Sequence, residues 1–413
     1  MTVRFALARA AGRTAAELSR VTGRGGGTTI GGRVTLLVDP QALARAAAGR
    51  ELALVSGTNG KTTTRTLLVA ALSTKQPVVS NSGGANLPTG LTAALATDRT
   101  SRLGVLEVDE PFLPQVATAV HPRAVVLLNL SRDQLDRYAE VRRLAGIWHD
   151  ALAAEPGIAV VANADDPLVA WAASASPDVT WVSAGQRWTY DSTSCPACGD
   201  VLTRDSAGGW HSDGCGLSRP KPSWEVRGDT VFDPTGVSHE VRLALPGQVN
   251  VGNAALAAAA AALWDVPAAQ AFAAMAAIPS VEGRYLETTY DGRLVRLLLA
   301  KNPAGWSEAL QMARPDTGVV IAVNARAADG RDPSWLWDVP FEVLRGRHAV
   351  ATGERSRDVA VRLRYAGVDH VRVDGLAAAI GAARSETTGG DSAVEVLANY
   401  TAFQGYRKVV GDA

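Results

Sequence analysis

Short apolar runs separated by stretches of helical period dominate residues 51 to about 170. The runs at 51–56, 77–80, 103–108, 124–128 and 158–162 are too short for core helices and rich in Val, Leu and Ala, so they read as parallel strands joined by crossover helices. Residues 188–222 break the period. Cys, Gly, Ser and Asp gather there without apolar alternation, which reads as a small insertion held by something other than an apolar core. The helical pattern resumes at 250–264. A second alternating block follows Gly283, with strands expected at 294–300, 318–324, 349–352, 371–373 and 393–397. A helix is expected over 355–366, closed by Gly367 where a left-handed residue is wanted. The blocks meet at about 279–283.

A chain of 413 residues with 47% apolar side chains exceeds what one core usually supports, which agrees with two domains. Its 41 basic and 41 acidic side chains argue against a protein whose main task is gripping nucleic acid or an anionic membrane through net charge, though not against a local basic patch. The longest apolar run, 254–264, is far short of the roughly 18–20 residues that cross a bilayer, so no transmembrane segment is expected. Residues 1–21 are arginine-rich with no acid before Glu17, and lack the long apolar stretch of a secretory signal. They read as an ordinary amphipathic first helix of a protein that is cytoplasmic or peripheral to the inner face of the membrane. The three cysteines, Cys195, Cys198 and Cys215, crowd into 21 residues, which suits a metal cluster better than a disulfide framework.

The strongest chemical signal is Ser56-Gly57-Thr58-Asn59-Gly60-Lys61-Thr62-Thr63-Thr64, after one expected strand and opening a helix. Small residues let backbone N–H groups close around phosphate oxygens, and the helix dipole adds attraction. Lys61 would neutralise the β- and γ-phosphates of ATP while the Thr62 hydroxyl joins Mg²⁺. The general P-loop has its first glycine five residues before Gly60, where this chain has Val55; its glycine is at 57. In that departure Gly57–Thr64 resembles the P-loop variant of the Mur ligase family, ATP-dependent enzymes that join carboxylates to amines. The resemblance implies that Glu107, in Glu107-Val108-Asp109-Glu110, is a Mg²⁺ ligand near the γ-phosphate. On the residues alone, a carboxylate at the carboxyl end of a parallel strand beside a P-loop offers a divalent cation hard oxygen.

Further landmarks follow in order. Residues 129–136, Asn-Leu-Ser-Arg-Asp-Gln-Leu-Asp, resemble the family's Asn-x-x-x-Asp-His-Leu-Asp stretch with Gln134 in place of histidine. Asn163-Ala164-Asp165-Asp166-Pro167 matches a family turn. Residues 247–253 resemble Gly-x-x-Asn-x-x-Asn, implying that Asn250 and Asn253 approach the nucleotide, although either alone also reads as a helix cap. Arg284 is expected to reach the phosphates from the hinge. The family's carbamylated lysine is absent, because no lysine lies between Asp136 and Pro156.

Within the family the chain resembles the MurT branch. The P-loop begins at residue 57, so the folded nucleotide-sugar domain of many cell-wall ligases is not expected. Cys195-Pro196-Ala197-Cys198-Gly199 followed by Cys215-Gly216 resembles that branch's zinc ribbon, with Ser212 where a fourth cysteine belongs. Either His211 completes a Cys₃His zinc site or the ribbon is metal-free. Lys301-Asn302-Pro303-Ala304-Gly305, the stretch 329–338, Gly353-Glu354-Arg355 and Asn399-Tyr400-Thr401-Ala402 extend the likeness. It implies an α/β fold: a P-loop parallel-sheet ATPase domain over 1–282, with the Cys-rich ribbon inserted at about 190–222, and a Rossmann-like domain over 283–413.

The implied activity is ATP-dependent amidation of the D-glutamate α-carboxylate in the stem peptide of lipid II, with Lys301 and Asn302 positioning the carboxylate or acyl phosphate. A cysteine glutaminase needs a nucleophilic cysteine with a nearby base, and all three cysteines belong to the ribbon. The resemblance therefore implies a separate GatD-type glutaminase subunit. Asp332 is the first choice for an acid that faces this partner, with Trp335 and Trp337 as interface anchors or core. A folylpolyglutamate-synthase-like ligase adding an amino acid, or an ATP-binding scaffold without activity, are the rival readings.

Overall fold

The computed structural model describes residues 3–22, 28–132, 141–279, 281, 283–383 and 393–411. They form two compact units, one built mainly from residues up to 279 and the other from 283 onward.

The first unit opens with helices α1 (Val3–Val21), α2 (Thr28–Val38) and α3 (Ala42–Ala47). The alternating part follows as β1 (Glu51–Ser56), α4 (Lys61–Ser73), β2 (Val78–Ser80), α5 (Pro88–Thr97), β3 (Leu103–Glu107), α6 (Leu113–Val120), β4 (Ala124–Leu127), α7 (Val141–Ala154), β5 (Ala159–Asn163), α8 (Pro167–Ala173) and β6 (Val179–Ser183). The ribbon contributes β7 (Thr203–Arg204) and β8 (Trp210–His211). A small meander, β9 (Trp224–Arg227), β10 (Thr230–Phe232) and β11 (Ser238–Glu240), precedes α9 (Gln248–Ala262) and α10 (Ala268–Ala276). The sheet order is β11-β10-β9-β6-β5-β4-β1-β3-β2. Strands β1 to β6 run parallel, and β9 to β11 pair antiparallel. Successive residues of β1 face opposite cores: Leu52 and Leu54 pack with α6 and α7, Ala53 and Val55 with α4 and α9. Residues 254–261 of α9, seven alanines and Leu256, are all but fully buried, and the small alanine side chains let this helix lie close on the sheet.

The second unit comprises β12 (Tyr285–Tyr290), β13 (Arg293–Leu299), α11 (Pro303–Met312), β14 (Gly318–Ala322), β15 (His348–Thr352), α12 (Ser356–Ala366), β16 (Asp369–Arg372), α13 (Leu376–Ala382), β17 (Val394–Ala398) and α14 (Tyr400–Val409). Its sheet order is β12-β13-β17-β14-β15-β16, parallel except for the edge strand β12.

The α/β class and the parallel sheets are as expected, and the predicted strands lie within two residues of the observed ones. Three features differ. Strand β6 and the β9–β11 meander were not expected, because these strands are only three to five residues long and Thr, Arg and Glu interrupt their apolar residues. Edge strand β12 alternates half-buried with exposed residues and so lacks an apolar run. The insertion does have a core: Cys195, Leu202 and Trp210 are buried together against Ala170 of α8. One large tryptophan does there what an apolar period does elsewhere.

Candidate active site

In the first unit the strand order reverses about β1, with β3 on one side and β4 on the other, and the crevice beyond their carboxyl ends is where α/β sheets take ligands. The P-loop lies there. Val55 is a fully buried strand residue, which is why the turn starts only at Gly57. Gly57 has φ +148°, and a Cβ on it would lie 2.8 Å from Leu128 Cβ and 3.0 Å from the Asn129 nitrogen. The loop is stitched to the segment after β4. Thr58 N–H donates to the Asn129 carbonyl (2.9 Å) and Asn59 N–H to Asn129 Oδ1 (2.9 Å). Asn129 Nδ2 returns a bond to the Asn59 carbonyl (2.9 Å), and Ser131 N–H donates to Thr58 Oγ1 (3.0 Å). Gly60, at φ +86°, opens α4 without a side-chain cap, so the first-turn amides are offered at the positive end of the helix.

A Cβ on Gly60 would lie 2.6 Å from Asn253 Oδ1, and Asn253 Nδ2 donates to Asn250 Oδ1 (3.2 Å). Of the two asparagines expected near the nucleotide, Asn253 therefore reaches the P-loop from the first turns of α9, with Asn250 bonded behind it. Thr62 is half-buried and Thr63 buried in the first turn of α4. Of the 129–136 stretch, residues 133–136 lie outside the described residues, as do Ser280 and Glu282 at the expected hinge.

Acids from the end of β3 surround the lysine. Lys61 Nζ is 2.8 Å from Glu110 Oε2, 3.8 Å from Asp109 Oδ1 and 3.4 Å from the Thr58 carbonyl. Burial works against the Lys61 charge, yet Glu110, Asp109 and Glu107 outweigh it and raise its pKa above the usual lysine value. Burial likewise pushes the Glu110 carboxyl up, and Lys61 pulls it below the usual carboxylate range. Glu107 is buried and fixed by Asn81, which accepts from its N–H (2.9 Å) and donates to its carbonyl (2.9 Å). The Glu107 carboxylate lies 3.7 Å from Arg65 Nε.

In the second unit, Lys301, Asn302, Asp329, Asp332, Ser334 and Trp335 line a cavity of about 150 Å³ at the carboxyl end of the sheet. Lys301 Nζ lies 5.5 Å from the centre of the Tyr400 ring. Asn302 caps α11, its Oδ1 accepting from Gly305 N–H (2.9 Å). It is only 2% exposed, and its Nδ2 has no hydrogen-bond partner among the described residues. Asp329 is buried and accepts from Thr401 N–H (2.8 Å). Asp332 is exposed and accepts from both Ser334 N–H (2.9 Å) and Ser334 Oγ (2.9 Å), which hold its carboxyl below the usual range. Trp335 is half-buried on Trp306, whereas Trp337 is 55% exposed. Arg284 starts the second unit, its carbonyl accepting from Leu299 N–H (3.1 Å).

The ribbon repeats itself. Cys195 N–H donates to the Asp200 carbonyl (2.6 Å) and the Cys195 carbonyl accepts from Gly199 (2.9 Å); Ser212 N–H donates to the Leu217 carbonyl (2.7 Å) and the Ser212 carbonyl accepts from Gly216 (2.9 Å). Gly199 and Gly216 are both left-handed, and the flanking bridges Ser194–Val201 and His211–Ser218 correspond. Ser212 thus occupies in the second knuckle the position of Cys195 in the first. The three sulfurs lie within 4.8 Å of one another. Cys195 Sγ is 3.6 Å from Cys215 Sγ, and Ser212 Oγ is 3.3 Å from Cys198 Sγ and 3.7 Å from Cys215 Sγ. His211, the expected substitute ligand, is not in this cluster. By the same symmetry it matches Ser194, one residue before the knuckle, and its Nε2 lies 3.3 Å from Asp213. The ribbon is pinned to the Asn163–Pro167 turn: Arg219 pairs with Asp165 (2.6 Å), and Trp210 Nε1 donates to the Ala164 carbonyl (3.1 Å).

The Mur ligase middle domain family matches residues 55–261 and the MurT ligase C-terminal family residues 299–403. Subunit MurT of the glutamine-hydrolyzing lipid II isoglutaminyl synthase from Staphylococcus aureus is 30% identical over 380 residues, covering 86% of each chain. The chain belongs to the MurT family of Mur ligases. The MurT subunit of Streptococcus pneumoniae is also 30% identical, covering 83% of each chain. Among solved structures, MurF of Acinetobacter baumannii shares the fold with a TM-score of 0.66 and 17% identity, over 92% of this chain and 80% of that one. A pseudomurein peptide ligase type C of Methanothermus fervidus gives 0.64 and 18%, over 88% and 78%.

In this MurT-family chain, sequence reasoning missed the residues that hold the named ones in place. Glu110 and Asp109 grip Lys61, Asn81 fixes Glu107, and Asn129 with Ser131 braces the P-loop. The signal for Glu110 was present, since three acids within four residues after a strand exceed what one cation requires. Asn81 gave none: it acts on backbone groups 26 residues away.

Proposed function

We propose that this chain is the ligase subunit of a lipid II isoglutaminyl synthase, amidating the D-glutamate α-carboxylate of the stem peptide with ATP and ammonia. The observation that carries the reading is the braced P-loop, with Lys61 held among acids beside Asn253, in a chain alignable over most of its length with MurT subunits so named.

The residues suit ATP and Mg²⁺. Gly57 and Gly60 form a cradle that any Cβ would fill, and the Glu107 carboxylate ends β3 beside it. Residues Gly57 to Thr63 would wrap the phosphates, and Thr62 with Glu107 would hold the metal, whose charge when bound offsets that of the transferring phosphoryl group. Lys61 would leave Glu110 for the phosphates, with Asn250 and Asn253 on the nucleotide side and Arg284 as the phosphate arginine. Lys301 and Asn302, whose Nδ2 is a buried donor lacking an acceptor, are assigned to the substrate carboxylate or its acyl phosphate. The carboxylate oxygen attacks the γ-phosphorus and ADP leaves. Ammonia then attacks the acyl carbon, phosphate leaves and the amide loses a proton.

All three cysteines lie in one ribbon cluster, so the chain holds no cysteine free to act as a glutaminase nucleophile. That supports a GatD-type partner as the ammonia source, with Asp332 orienting its catalytic histidine. Asp332→Asn is expected to keep ammonium-dependent activity and lose most glutamine-dependent activity; full glutamine-dependent turnover in the assembled complex removes Asp332 from that role. The three thiols are also suited to zinc. Burial would raise the Cys195 pKa, but the amides of Cys198 and Ala197, the Ser212 hydroxyl and Cys215 bring it to about 7. Zinc bound there would lock the ribbon, with Ser212 at the fourth corner.

The deciding experiment supplies lipid II and ATP with either ammonium or glutamine and reads amide formation by mass spectrometry. Product with ammonium alone is expected from this chain without its partner. Addition of an amino acid instead, or failure to bind ATP, overturns the assignment.

A further inference from the structure

Helix α1 is apolar on two sides. Its inner side, including Phe5, Ala8 and Gly12, is buried, and a Cβ on Gly12 would lie 2.0 Å from Thr35 Oγ1 of α2. Its outer side carries a second stripe, Val3, Leu7, Ala10, Leu18 and Val21, whose helical spacing gathers it within about a quarter of the circumference. Leu7 is 62% and Leu18 60% exposed. Helix α2 adds Ile30 at 46% and Leu37 at 73%. Seven of the seventeen large apolar side chains exposed among the described residues lie on these two helices, a concentration that marks a contact surface.

Charge identifies the occupant. Helices α1 and α2 expose Arg4, Arg13, Arg20 and Arg33 against Glu17 alone, in a chain whose basic and acidic side chains balance overall. No described helix is long and apolar enough to cross a membrane.

We infer that the α1–α2 surface docks on an anionic phospholipid bilayer, the apolar stripe entering the headgroup boundary and the arginines meeting lipid phosphates. The inference deepens the ligase reading, whose acceptor is lipid-linked, yet vesicle binding needs neither ATP nor acceptor, so the two can fail separately.

The test is cosedimentation of the full chain with vesicles of phosphatidylcholine, with and without phosphatidylglycerol. Binding to phosphatidylglycerol vesicles is expected to be at least about tenfold stronger than to phosphatidylcholine alone and to weaken with salt. The Leu7→Glu/Leu18→Glu double variant is expected to lose about tenfold or more of that binding. Its thermal unfolding should match the parent, because both side chains are exposed. Leu7→Trp should show blue-shifted emission on adding phosphatidylglycerol vesicles. Equal affinity for both vesicles, no binding, or unchanged binding by the double variant overturns the inference. So does a double variant that instead breaks an oligomer or loses a protein partner, since the stripe is then a protein interface.

Discussion

Replacing Ser212 by cysteine should turn the ribbon into a four-thiolate site. The backbone frame is already present: Ser212 makes the same two main-chain hydrogen bonds as Cys195, to Leu217 and from Gly216. A zinc–sulfur distance of about 2.3 Å sets a tetrahedral edge of roughly 3.8 Å. The Cys195–Cys215 separation is 3.6 Å, and Ser212 Oγ is 3.3 and 3.7 Å from its two neighbours, so a sulfur at 212 meets the remaining corner without moving the chain. Structural zinc in four-ligand modules contributes on the order of 10–16 kcal/mol. One thiolate in four then amounts to about 3 kcal/mol, or roughly a hundredfold in affinity. Zinc competition against a chromophoric chelator measures this, and cobalt substitution shows the added thiolate as stronger charge-transfer absorption. His211→Ala should leave wild-type affinity unchanged. Equal affinity of the Ser212→Cys and parent chains, or a tenfold loss on His211→Ala, would refute the reasoning.

Glu110→Gln leaves Lys61 buried with Asp109 at 3.8 Å as its nearest acid, and should cost about 3 kcal/mol without nucleotide. The loss should be smaller with Mg-ATP, whose phosphates take over the lysine, so equal loss in thermal unfolding under both conditions counts against the pairing. Because the folded Glu110 pKa is depressed, its contribution is full above the unfolded carboxyl value near 4.3 and fades as pH falls through the folded value. Asp233 is a second such group. Burial pushes it up, but His239, the Thr235 hydroxyl and the amides of Thr235 and Val237 bring it to about 2. Asp233→Asn should therefore cost about 2 kcal/mol at pH 7 and almost nothing near pH 2; urea unfolding showing the same difference at both extremes excludes the linkage. Gly60→Ala, strained at φ +86° and driven against Asn253 Oδ1, should weaken ATP binding at least about tenfold, and an unchanged titration would remove Gly60 from the cradle.

Legibility followed the range of the interactions. Strands β1 and β3 to β5 were readable because burial on both faces makes them continuous apolar runs. Strand β12 was not, since an edge strand with one half-exposed face carries no such run. At the site, Gly57, Gly60 and Lys61 could be named from their neighbours in sequence, because one local turn fixes them all. Ser212 as the fourth corner could not. Spacing marked position 212 as the missing cysteine, but a poor ligand there turned attention to His211, and only the repeated hydrogen bonds of the two knuckles show that 212, not 211, faces the sulfurs. Asn81 and Glu110 act across 26 and 49 residues, and no local rule anticipates such pairings.

The acids around Lys61 also bear on how nucleotide would enter. Glu107, Asp109 and Glu110 gather with Lys61 and Arg65 in one cluster, buried except for the half-buried Asp109 and Arg65, three negative groups against two positive. ATP alone would bring several further negative charges toward three carboxylates, and Mg²⁺ alone would meet a lysine and an arginine. Each component therefore lowers the electrostatic cost of the other. With the metal on Glu107 and the phosphates on Lys61, Glu110 loses its present partner, and its depressed pKa should rise toward the ordinary range. On the proposed reading Glu110 would keep the lysine charged and placed before nucleotide arrives, and would yield once phosphate offers a stronger partner. Retaining Lys61 between acids is the arrangement expected of a loop that must be ordered before its ligand arrives, and the reciprocal bonds from Asn129 and Ser131 hold the rest of that loop in the same state.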